Sequence, residues 1–86
     1  MMSYEIVLSE LAKRDLEDID KHTATRIVEK LVSLKNNPFG YVKRLHGVPL
    51  YSLRIGDYRV VMDINKKKIV IFVVQIGHRK GIYGNF

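Results

Sequence analysis

Arg54 and Arg59 stand on either side of Gly56-Asp57 in the stretch "LYSLRIGDYRVVMDI". A Gly-Asp pair between alternating apolar residues reads as a two-residue hairpin loop. Ile55 then faces Tyr58, Arg54 faces Arg59 and Ser52 faces Val61. Like charges opposed across strands disfavour a sheet by about 0.2–1 kcal/mol, so this pairing asks for a compensating partner. Phosphate meets the demand, because each guanidinium presents a planar fork of donors that suits phosphate oxygens. A second group of candidates closes the chain. In "GHRKGIY", His78 offers an imidazole that can carry a proton, Arg79 and Lys80 are cations, and Tyr83 carries a phenol on an aromatic ring.

These groups need elements to hold them. "SYEIVLS" reads as a first strand, and Ser9 as the N-cap of a helix "ELAKRDLEDIDK" with Leu11, Ala12, Leu16 and Ile19 at helical intervals. A second helix starts near Thr23, carries the stripe Ile27, Leu31 and Leu34, and stops at Asn36-Asn37-Pro38. Beyond a linker, "FGYVKRLHGVP", three strands are predicted at about 50 to 55, 58 to 64 and 69 to 76. The fold class is α+β: an N-terminal strand, a two-helix hairpin, then antiparallel strands in a small four-stranded sheet with the helices on one face.

Alternation sorts the hairpin's side chains. Tyr51, Leu53, Ile55, Tyr58, Val60, Met62 and Ile64 point to the helices, while Ser52, Arg54, Arg59, Val61 and Asp63 point to the open face. A tight turn around Lys66-Lys67 would set residue 59 opposite 74. That register puts Val74, Ile76 and His78 on the arginine face and brings the tail to the same place.

Composition sets limits. Eighty-six residues at 47% hydrophobic make one domain, residues 1 to 86. There is no cysteine, and His22, His46 and His78 lie too far apart for a short metal-ligand spacing, so neither metal nor cofactor is expected. No apolar run approaches the roughly 18 residues of a membrane span, and the N-terminus has no basic leader, which points to a cytoplasmic chain. The net charge of +6 is unevenly spread: residues 1 to 43 hold seven basic and seven acidic groups, residues 44 to 86 eight and two. A face for a polyanion follows, nucleic acid or an acidic protein segment. The lysines of "NKKK" at 65 to 68 read as a solvated turn.

The pattern "LHGVPLYSLRIGDYRVVMDI" followed by "IVIFVVQIGHRKGIY", behind two helices, resembles the RelE branch of the RelE/ParE toxin superfamily of prokaryotic type II toxin-antitoxin systems. The resemblance spans essentially the whole chain. It implies a ribosome-dependent endoribonuclease that cuts mRNA in the A site, without a metal, by driving the ribose 2′-hydroxyl onto the adjacent phosphate. Arg59 and Arg79 match the family's phosphate-contacting arginines, and Tyr83 the tyrosine that stacks on or orients the mRNA base. Ser52, Arg54 and Lys80 become substrate contacts. Some relatives carry two lysines where this chain has Ser52 and Arg54, and arginine is a poor base, so the resemblance leaves proton abstraction to His78.

Plainer roles exist for each. Arg59 could brace the hairpin against Asp57 or Asp63, Tyr83 could anchor a fraying tail, and a strand-end histidine is often a passive surface group. Two rival functions share the fold or the charge: a ParE-like, non-nuclease toxin that inhibits DNA gyrase, and a plain RNA-binding module. The resemblance also implies a cognate RelB-like antitoxin, an acidic and partly disordered chain covering the basic half, in an oligomeric complex.

Overall fold

The computed structural model describes residues 3–78. Strand β1 (Glu5–Leu8) leads into helix α1 (Glu10–Asp18) and helix α2 (Lys21–Ser33); a short 3-10 turn (Pro38–Gly40) follows, then β2 (Lys43–Arg44), β3 (Tyr51–Ile55), β4 (Tyr58–Asn65) and β5 (Val70–His78). The sheet order is β1-β5-β4-β3-β2. The fold is α+β as read from the sequence, but with five strands among the described residues rather than four. The additional strand lies in what read as linker, where Lys43 pairs with Ser52 and Arg44 with Tyr51. Two residues are too few to leave an alternation pattern.

Both helices start on side-chain caps. The Ser9 hydroxyl accepts the Ala12 N–H at 3.0 Å, as its position predicts. α1 ends sooner than its periodicity suggests: Ile19 turns extended, and Asp20 caps α2 by accepting the Thr23 N–H at 3.0 Å. The Thr23 hydroxyl and backbone N–H hold the Asp20 carboxyl below its ordinary value of 3.8.

α1 lies against β5 and α2 against β3. Between them and the sheet sits one core that includes Ala12, Ile27, Leu31 and Leu34 from the helices and Leu53, Ile55, Val60, Met62, Ile64, Ile71, Val73 and Ile76 from the strands. β5 is the last of the described strands in sequence yet lies inside the sheet, antiparallel to β4 and parallel to β1. No helix among the described residues is long and apolar enough to cross a membrane.

Candidate nucleic-acid interface

The β3–β4 hairpin has the register counted from its turn. Ile55 pairs with Tyr58, Arg54 with Arg59 and Ser52 with Val61. Gly56 sits at φ +58, a value that glycine adopts without the penalty a Cβ would bring. In such a loop Ile55 and Tyr58 form the hydrogen-bonded pair, so Arg54 and Arg59 form the non-bonded one. Their Cα atoms are then only about 4.5 Å apart and their side chains leave the same face. Arg54 is exposed; Arg59 is half-buried, with its Nε beneath the surface. The floor beside them is closed, with Val61 1% and Ser52 8% exposed, although Val61 lies outside the helix-side core.

The β4–β5 register departs from the expected one in two places. The turn is longer: Asn65 pairs with Val70, leaving four residues between the strands, and the Asn65 side chain accepts the Lys68 N–H at 2.9 Å. The pairing then slips between Val61 and Met62, where Met62 meets Val73 but Val61 meets Gln75. Val74 is the extra residue of a bulge. Arg59 therefore faces Gly77 rather than Val74.

The bulge reverses the sides of everything beyond it. Ile76 pairs with Val60 in the core, 2% exposed, and His78 pairs with Tyr58, their rings edge-to-face with centroids 5.7 Å apart. Ile76 and His78 thus lie on the Tyr58 side, not the arginine side as counted from a tight turn. The physical reason is visible in Gln75. Uninterrupted alternation from Ile71 and Val73 would drive its amide into the helix-side core, at a cost of about 1–3 kcal/mol if unsatisfied. The bulge turns it out to Val61 instead.

One contributor was missed in the sequence. Lys43 pairs with Ser52 and so stands on the same face as Arg54 and Arg59, giving three described cations there. Only a recognised β2 could have placed it. Toward β1 the same face carries an exposed apolar pair, Val7 and Phe72, at 38% and 39%, flanked by the exposed carboxylates of Asp63 and Glu5. Arg79, Lys80 and Tyr83 lie outside the described residues.

The family model for the ParE toxin of type II toxin-antitoxin systems (parDE) matches residues 6–83. The chain belongs to that family. It is 27% identical over 82 residues to the mRNA interferase toxin RelE of Escherichia coli, covering 92% of this chain and 86% of that protein. It is 32% identical over 83 residues to Toxin RelE of Mycobacterium tuberculosis, covering 93% and 86%. The archaeal RelE-RelB complex from Pyrococcus horikoshii contains a chain that superposes with a TM-score of 0.80 at 28% identity, covering 93% of this chain and 99% of that one. The protein is accordingly a RelE/ParE-family toxin of a toxin-antitoxin system.

Proposed function

We propose that this toxin is an endoribonuclease that cuts mRNA in the ribosomal A site, by metal-independent attack of a ribose 2′-hydroxyl on the adjacent phosphate. The observation that carries the reading is the Arg54–Arg59 pair: two forks of donors are held together, against their mutual repulsion, over a closed floor. In-line attack forms the 2′-O–P bond and breaks the P–O5′ bond, leaving a 2′,3′-cyclic phosphate and a 5′-hydroxyl. Water takes the 2′-hydroxyl proton and water supplies one to the leaving oxygen, while pre-positioned cations stabilise the negative charge that builds on the phosphate. Arg59 takes the phosphate, Arg54 and Lys43 hold the flanking backbone, and Ser52 lies between them. Gly77 opposite Arg59 adds no side chain to crowd the strand. Arg79 and Lys80 add charge, and Tyr83 orients a base. His78, turned toward Tyr58, is not assigned the base. The name of the E. coli relative, an mRNA interferase, supports the reaction class.

The partner in this reading is a cognate antitoxin, supported by the RelB-bound relative. The open face suits an acidic amphipathic segment, with cations toward β3 and exposed Val7 and Phe72 toward β1. The second reading is gyrase inhibition, which the ParE name of the matching family favours.

Primer extension on a translated reporter mRNA, in an extract with and without ribosomes, separates them. Cuts at A-site codons that need ribosomes and disappear in Arg59→Ala and Arg54→Ala establish the nuclease. Intact mRNA together with arrested DNA supercoiling establishes the gyrase poison.

A further inference from the structure

The bulge in β5 is held from the opposite side of the sheet. β1 ends where Leu8 pairs with Val73, so beyond that point β5 has no strand along this edge, and α1 takes its place. Three hydrogen bonds join α1 and its cap to the edge. The Ser9 N–H donates to the Val73 carbonyl at 2.9 Å, the Ser9 hydroxyl donates to the Val74 carbonyl at 2.7 Å, and the Ile76 N–H donates to Asp15 Oδ2 at 2.9 Å. Ser9 and Asp15 bracket the extra residue. Ser9 also caps α1, so the seating of the helix and the position of the bulge are fixed by one side chain.

We propose that Asp15, although it lies on the helix side of the sheet, is a positioning residue for the cleavage site. By accepting the Ile76 N–H it locks the bulge at Val74, and so determines that Gln75 and Gly77, rather than Ile76, stand beside Val61 and Arg59. With the bulge undone, the register of the turn half would run on: Arg59 would face Ile76, and Gln75 would face Val60 in the core. A charged acceptor makes a stronger bond to a backbone N–H than a neutral one, which suits a carboxylate to a half-buried strand edge. The catalytic consequence rests on the nuclease reading above; the structural one does not.

The experiment compares full-length wild type with Asp15→Ala, Asp15→Leu and Asp15→Asn. Leucine keeps the volume without an acceptor, and asparagine keeps an acceptor oxygen. Amide exchange by NMR reads the Ile76 N–H, cross-strand NOEs read whether Arg59 neighbours Gly77 or Ile76, and ribosome-dependent cleavage is followed as kcat and KM. In Asp15→Ala or Asp15→Leu, whichever folds, Ile76 protection and kcat each fall by about tenfold or more, as small misplacements of catalytic groups do, while KM stays within about threefold. Asp15→Asn recovers most of both. Wild-type protection, NOEs and kcat in the folded Ala or Leu variant overturn the proposal, as does a rise in KM at unchanged kcat. If the wild type cuts no RNA, the nuclease reading fails by itself, and the Ile76 exchange and the Arg59 NOEs still decide whether Asp15 sets the register.

Discussion

Replacing Arg54 by threonine should make the protein more stable and less active. Threonine suits a strand, and Arg54 is exposed, so its removal sacrifices little packing. With the guanidinium centres taken as ~7 Å apart in a water-like dielectric, the repulsion from Arg59 is about 0.6 kcal/mol. Screening leaves about 0.5 kcal/mol of it at 0.01 M salt and less than about 0.1 kcal/mol at 1 M, where the Debye length is ~3 Å. The gain at low salt corresponds to about 2–4 °C in Tm for a domain of this size. Thermal unfolding of wild type, Arg54→Thr, Arg59→Gln and the double variant, each at both salt concentrations, forms a double-mutant cycle. The stabilisation by Arg54→Thr should vanish on the Arg59→Gln background and at 1 M salt. An equal gain on both backgrounds, or one that survives high salt, would refute the idea that the two arginines are held together against their charges. The same Arg54→Thr protein should also lose mRNA cleavage or, in the second reading, gyrase inhibition should be untouched.

Other outcomes follow from the caps, the turn and the core. Ser9→Ala removes both the α1 cap and the bond to Val74, and should cost about 1–2 kcal/mol by urea unfolding, more than a cap alone usually does. The folded-state pKa of Asp20 is depressed, so its contribution is complete above the ordinary value of 3.8 and is lost as pH falls through the lower folded value. Asp20→Asn should flatten that acid limb of the stability curve, with its cost largest near neutrality and fading as pH falls below the folded value. Gly56→Ala forces a Cβ onto a φ of +58 and should cost about 1–2 kcal/mol by the same measurement. Ile71→Ala, fully buried near the start of β5, should cost about 2–5 kcal/mol and bring the protein close to unfolding.

What the sequence revealed and what it concealed divide along physical lines. Gly56-Asp57 fixes its hairpin locally, because a two-residue loop permits one register, and the Arg54–Arg59 pair follows from it. Ser9 is equally local, since a cap and the helix it starts are neighbours in the chain. β5 is different: "IVIFVVQI" is apolar on both faces, so alternation carries almost no information about which side is which. Its one polar residue, Gln75, held the clue, because placing it in the core conflicts with burying Ile76. The long partners of β5 were also out of reach. Nothing in Glu5–Leu8 says that it runs parallel to the last strand, and the Asp15 bond to Ile76 spans 61 positions. The tail residues Arg79, Lys80 and Tyr83 rest on resemblance alone.

The interior seat of β5, between β1 and β4, also orders events in time. Synthesis delivers β1, both helices, β2, β3 and β4 before the strand that lies between β1 and β4. Until residues 70–78 emerge, β1 has no strand to pair with, α1 lacks the strand it packs against most, and Ile71, Val73 and Ile76 are missing from the core. Pairings between distant parts of a chain form late, because the whole intervening loop must be closed to make them. The β3–β4 hairpin that carries Arg54 and Arg59 is local and can form first, but the sheet behind it is completed only when β5 pairs with β4. A fragment broken off before β5 is left without the strand that joins β1 to β4.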